Sequence, residues 1–225
     1  MKNRSIAIDG PSGAGKSTLA RMAAKHFGMI YVDTGALYRC IGLFAYQNGV
    51  DPKSEAAVTA LLPDIKIDMS YDDAGVQRMF INGADVTDDI REPIISSYAS
   101  DVSALPPVRA FLLDMQRDMA ARYDVIMDGR DIGTIVLPNA GLKVFLTASA
   151  ELRAVRRHRE LIEKGSSVTF EEVLRDMTER DRNDSTRSIA PLKAADDAVL
   201  LDTTGVDLDG SFELLRAIIS ERYGI

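Results

Sequence analysis

Apolar residues fall along the chain in two alternating textures. Short runs such as Ile6–Ile8, Val125–Met127 and Val144–Leu146 are too brief for helices and read as buried strands. Between them lie longer stretches with apolar residues three and four apart. That alternation predicts βαβ units on a parallel sheet. Strands are expected at Ser5–Asp9, Met29–Val32, Val125–Asp128, Lys143–Leu146 and Ala198–Asp202. Helices are expected at Ser17–Phe27, at Ala36–Asn48 with Thr34 near its cap, at Glu151–Lys164, at Phe170–Arg182 and from about Ser211 to Tyr223. One stretch breaks the rhythm. From Ile65 to Val86 the residues read as short strands, with Asn82-Gly83 as a hairpin-type turn. Asp88–Leu105 then looks helical, and Pro106-Pro107 opens another helix at its first turn. Residues 63–104 are therefore expected to be an insertion on a core made of 1–62 and 105–225, although an extra hairpin at a sheet edge would give the same pattern.

Composition narrows the possibilities. The chain has 225 residues, 46% of them hydrophobic, enough for one large core or one core with lobes. No window of 18 apolar residues occurs, so no bilayer span is expected. The first apolar run is short and leads into a glycine loop, which suits a buried strand rather than a signal peptide. The single cysteine, Cys40, excludes an internal disulfide framework and fits a reducing, cytoplasmic compartment. It is expected as a small buried apolar group. A net charge of −7 argues against binding a nucleic acid polymer through a basic surface. Any anionic ligand must then be met by clustered arginines. His26 and His158 stand far apart in sequence without cysteine partners and give a zinc site no support.

The most specific motif is Gly10-Pro11-Ser12-Gly13-Ala14-Gly15-Lys16-Ser17, followed by Thr18. It fits the phosphate-loop pattern and sits between a predicted strand and a predicted helix, where the mechanism needs it. The glycines let successive N–H groups face one phosphate, and the helix N-terminus adds positive potential. Lys16, expected exposed in the loop, would reach the β- and γ-phosphates, and Ser17 would offer a hydroxyl to Mg²⁺. ATP and Mg²⁺ are the implied ligands. A phosphate loop does not by itself choose among a small-molecule kinase, a GTPase switch and an ATPase motor. Asp202-Thr-Thr-Gly205 resembles a GTPase element, but no N-K-x-D guanine reader exists and the motif lies near the C-terminal end. No ABC signature is present either. The kinase reading remains.

Transfer between two phosphates needs cations that hold both in line rather than a strong base. Arg39 lies in DTGALYR at 33–39, and Arg130 in DGRDIGT at 128–134, just past a predicted strand, where ligands of parallel sheets collect. Arg180, Arg182 and Arg187 cluster with Asp181 and Asp184, while Arg153, Arg156, Arg157 and Arg159 crowd one helix. Each has a plainer explanation: a tight turn at Asp128-Gly129, a solvated helix face, or arginines serving helix-end carbonyls. Their combination with the phosphate loop favours an anion site.

Together, Gly10–Thr18, DTGALYR, DGRDIGT and RSIAPL at 187–192 resemble the bacterial cytidylate kinase family over nearly the whole chain. Lys-Ser-Thr at 16–18 stands where some members have Lys-Gly-Thr. The resemblance implies an α/β P-loop NTPase three-layer fold with a five-stranded parallel sheet, an acceptor-binding lobe at 63–104 and a helical lid at about 153–188. It implies transfer of the ATP γ-phosphoryl group to CMP or dCMP. Lys16, Arg39, Arg130 and Arg187 would be catalytic, the three arginines gripping the acceptor phosphate. Thr34, Arg109 and Asp131 would read cytosine, and Arg180 and Asp184 would hold the ribose. Gly10 to Thr18, with Arg156 and Arg157 of the lid, would hold ATP, although the sequence does not show which lid arginine points inward. A monomer is expected. Two other readings stay open: a P-loop kinase for another small molecule, with Asp33 or Asp131 as base toward a hydroxyl, and a nucleotide-dependent switch without catalysis.

Overall fold

The computed structural model describes residues 3–73, 75–163 and 165–225. Ala74, inside the predicted strand stretch, and Lys164, the predicted last residue of the first arginine-rich helix, lie outside them. The chain forms two compact units, Met1–Tyr31 with Tyr123–Ile225, and Val32–Arg122.

The first unit holds β1 (Ser5–Asp9), α1 (Lys16–Phe27) and the start of β2 (Ile30–Asp33). The second holds α2 (Thr34–Gln47), α3 (Glu55–Leu61), β3 (Ile67–Tyr71), β4 (Gln77–Ile81), β5 (Ala84–Asp85), α4 (Pro93–Val102) and α5 (Pro106–Arg122). The chain then returns to the first with β6 (Val125–Gly129), β7 (Leu142–Thr147), α6 (Ala150–Glu163), α7 (Phe170–Thr186), β8 (Val199–Asp202) and α8 (Leu208–Tyr223).

Five strands form one sheet in the order β2-β6-β1-β7-β8, with β1 paired in parallel to both β6 and β7. From β1 the chain moves toward the β2 edge, and from β7 toward the β8 edge. Right-handed crossovers then carry α1 to one face and the α6–α7 connection to the other. The result is a helix–sheet–helix arrangement of the P-loop type. α8 packs beside α1, and Leu215 and Ile219 join Ile6, Ile8, Leu19, Ala20 and Ala23 in one core. Ala154, Val173 and Met177 give α6 and α7 a small core of their own. All four residues of β1 after Ser5 are buried, which is why the run reads as continuously apolar up to Asp9.

In the second unit β3, β4 and β5 form an antiparallel sheet. Asn82 and Gly83 turn from β4 to β5 with φ of 51° and 84°, as the hairpin signal predicts. Its core gathers Leu37, Ile41, Val58, Met79, Ile90, Ile95 and Leu112. Three local departures have clear causes. Helix α2 begins before Ala36 because the Asp33 carboxylate caps the Ala36 amide. The expected helix over Asp88–Leu105 divides into a 3₁₀ turn, Asp89–Arg91, and α4, because Pro93 holds Glu92 in extended backbone. α3 escapes prediction because Val58 is its one fully buried side chain, too little for a period.

Candidate active site

The phosphate loop leaves β1 at Gly10 and ends at Gly15, the left-handed N-cap of α1. Gly10, Gly13 and Gly15 have φ of 150°, 72° and 90°. At Gly10 a Cβ would lie 1.9 Å from the Leu146 carbonyl oxygen, so only glycine fits. No side chain caps α1 and no acidic residue occupies its first turn, which suits its first amides to an anion. Pro11 and Ser12 offer carbonyls: Lys16 Nζ donates to Pro11 O at 2.8 Å, and Arg153 donates to Ser12 O at 3.0 Å. Ala14 is buried in the core beneath the loop, and Thr18 is half-buried on α1.

Lys16 is not exposed, contrary to expectation; it is 6% accessible. The cause is its position as the first residue of α1, where its chain folds back over the loop. Burial, reinforced by Arg130, pulls its ammonium down to about 7 against the opposing pull of Asp128 and Asp9. Ser17 Oγ donates to Asp128 Oδ2 at 2.8 Å, and the Tyr31 hydroxyl donates to Oδ1 at 2.8 Å. Asp128 ends the apolar run of β6. A carboxylate closing a buried strand needs partners, and that was the signal for a role beyond a turn.

The same signal marks Asp9, at the end of β1. Its Oδ1 accepts the Ile132 N–H at 2.8 Å and its Oδ2 the Gly133 N–H at 2.7 Å. Those amides open a single π-helical turn, Ile132–Val136, that the sequence does not announce.

Arg130 and Asp131 lie between β6 and that turn. Arg130 Nε donates to Asp184 Oδ2 of α7 at 2.9 Å, and Arg187 sits 3.9 Å from both Asp184 Oδ1 and Asp131 Oδ1. Arg187 also donates to the Ala190 carbonyl, and Ala190 takes a positive φ of 49° in RSIAPL. Burial raises the Asp184 carboxyl, but Arg130 and Arg180 outweigh it and hold the group below the usual range. Arg180 is pulled down to about 10 by burial and by Arg130, and its buried Nε has no hydrogen-bond partner among the described residues. Arg130, Asp131, Arg180, Asp184 and Arg187 are thus assembled into one charged cluster in the first unit.

The two α6 arginines expected to meet ATP, Arg156 and Arg157, diverge. The Arg156 guanidinium lies 3.9 Å from where a Gly15 Cβ would stand, so this one faces the phosphate loop. Arg157 pairs with Glu160 at 3.1 Å. Arg153 lies one turn earlier, and in the sequence only its place in an arginine-rich helix marks it. It is buried and joins Ala148 O, Ser12 O and the Asp181 carboxylate, tying α6, α7 and the loop together.

Thr34, Arg39 and Arg109 belong to the second unit. Thr34 is buried as the first residue of α2. Asp33, its cap, also accepts from Arg91 Nη2 at 2.8 Å, while the Asp33 N–H donates to Gln77 Oε1 at 2.9 Å. Arg39 donates to Ile90 O at 3.2 Å and Ser96 Oγ at 2.6 Å. Arg109 donates to Ser103 O and lies over the Tyr38 ring, 5.7 Å from its centroid.

A parallel sheet in this order, with a glycine loop and buried lysine at the end of its central strand, defines a P-loop nucleotide-binding protein. The family profile of cytidylate kinase matches residues 6–220. Cytidylate kinase of Caldicellulosiruptor bescii is 46% identical over 225 residues, covering 100% of this chain and 98% of its own. That of Carboxydothermus hydrogenoformans is 48% identical over 217 residues, covering 96% and 97%. An uncharacterized protein from Eubacterium ventriosum, 14% identical, shares the fold with a TM-score of 0.56 over 98% of this chain and 99% of that one. The chain belongs to the cytidylate kinase family.

Proposed function

We propose that this chain transfers the γ-phosphoryl group of ATP to CMP or dCMP, giving ADP and CDP or dCDP. The observation that carries this reading is the buried Lys16 on the uncapped N-terminus of α1, beside the Arg130–Asp184–Arg187 cluster. The loop amides and Lys16 hold the β- and γ-phosphates, and Arg156 reaches them from the lid. Ser17 and Asp128 offer the hydroxyl and carboxylate oxygens that suit Mg²⁺, which supplies charge neutralisation of the phosphates when bound. Arg39, Arg130 and Arg187 grip the acceptor phosphate, whose oxygen is already anionic and needs no base. Thr34, Arg109 and Asp131 read cytosine, and Arg180 and Asp184 hold the ribose. Residues 63–104 belong to the acceptor lobe, and α6 and α7 serve as the lid that excludes water from the activated phosphoryl group.

The working form is a cytoplasmic monomer that binds no nucleic acid polymer. No helix among the described residues is long and apolar enough to cross a membrane. The test is ADP release with CMP, dCMP, UMP, AMP and shikimate as acceptors. CMP or dCMP is expected to give the highest kcat/KM. A preference for AMP or shikimate, or ATP binding without turnover of any acceptor, would overturn the reading.

A further inference from the structure

Asp9 is a buried carboxylate that the phosphate loop itself does not use. It closes β1 and is followed directly by Gly10. Both of its oxygens accept backbone N–H groups from Ile132 and Gly133, across a sequence separation of more than 120 residues. A helical turn leaves its first amides without partners inside the turn. No side chain of its own caps this one, and Asp9 supplies both acceptors from the neighbouring strand. A Cβ at Gly133 would stand 3.3 Å from Asp9 Oδ2 and 3.1 Å from Lys143 Cδ, so one of these side chains would have to give by a few tenths of an ångström. Asp131 comes immediately before these amides and Arg130 one residue earlier.

We infer that Asp9 is a positioning residue for acceptor binding: its carboxylate fixes the backbone just after Arg130 and Asp131 relative to the phosphate loop. This rests on the proposed acceptor roles of those two residues. The hydrogen bonds of the carboxylate go to the two turn amides, so it acts through the turn. Its protonation would remove one of two charge-assisted acceptors and slacken the loop. Burial lifts this carboxyl to about 6, against the two amide hydrogen bonds. The charged groups around it are Lys16 of α1, which favours ionisation, and Asp131, which opposes it. Asp128 of β6 is engaged by Ser17 and Tyr31, and Lys143 of β7 directs its ammonium to Asp197.

The experiment compares wild type with Asp9→Asn, and with Gly133→Ala, which keeps the Asp9 carboxylate but crowds its contact with the turn. Steady-state constants are measured separately for ATP and CMP from pH 5 to 8. Asp9→Asn should raise KM for CMP about tenfold and KM for ATP less than threefold. Gly133→Ala should reproduce that asymmetry. The acid limb of kcat/KM for CMP should also be less steep in Asp9→Asn than in wild type, because the CMP phosphate still titrates near pH 6 but Asp9 does not. Equal changes in both KM values, or an unchanged acid limb, would overturn the positioning role. Wild type inactive on CMP would instead overturn the proposed function, and this inference with it.

Discussion

Two loops leave neighbouring strands at the same end of the sheet, and they hold their shapes by different means. The loop after β1 is shaped from within. Three glycines at positive φ bend it, and its carbonyls are taken by Lys16 and Arg153. The loop after β6 starts from Gly129, the last residue of that strand, and contains Gly133, but neither has a positive φ. It is shaped from outside, by Asp9 on the amides and by Asp184 on Arg130. A locally encoded loop can be recognised and broken residue by residue. One held by remote carboxylates is defined by the fold and responds to charge changes far away in sequence.

The sharpest separation of shape from function in the first loop is Lys16→Ala. It leaves all three glycines in place but removes the cation that would follow the migrating phosphoryl group. Turnover should fall about 10²- to 10³-fold, with a much smaller change in ATP affinity. Because the buried ammonium costs the ATP-free protein stability, the variant should fold as before and melt at a higher temperature than wild type at or below pH 7. Near-normal turnover would contradict the phosphate-loop assignment. Steady-state kinetics alongside a melting curve would decide it.

This contrast also explains what the sequence discloses. The phosphate loop was legible because its glycines, lysine and serine are contiguous and flanked by a strand and a helix. The core strands were legible because each carries a short apolar run, buried almost throughout in β1 and β6 but only at Leu201 in β8. Asp9 and Asp128 were passed over because each looks like the polar end of such a run, and their partners lie about 120 and 111 residues away. The π turn at Ile132–Val136 has no period long enough to register. Arg156 and Arg157 are adjacent in sequence, and only helix geometry turns one to the loop and the other to Glu160.

The second loop is tested by Asp131→Asn. Asp131 is 4% accessible and faces Arg187 at 3.9 Å, so its carboxylate serves an arginine whether or not it also reads a base. Cytosine presents an amino donor where uracil presents O4, and a carboxylate accepts only the former. If Asp131 reads that position, the variant should narrow the CMP-to-UMP ratio of kcat/KM by about tenfold. If it only braces Arg187, both substrates lose activity by the same factor and the base-reading role falls.

The smallest effect links the two loops. Arg130, of the second loop, is the largest electrostatic influence holding down Lys16, of the first, after burial itself. With the Lys16 ammonium lowered from 10.5 to about 7, the protein without ATP carries this group largely neutral above pH 7. The unfolded chain keeps it protonated up to about 10, so the unfolded state binds more protons between pH 7 and 10. Stability of the ATP-free protein should accordingly gain from this group as pH rises through that window, and its cost is fully felt below pH 7. Bound triphosphate reverses the preference, because its negative charge favours the ammonium form. ATP binding at pH 8 should therefore take up close to one proton, and affinity should weaken about fivefold between pH 7 and 8. Calorimetry in two buffers of different ionisation enthalpy measures the uptake directly. In Lys16→Ala the uptake should vanish, and persistence of a full proton there would assign it to another group.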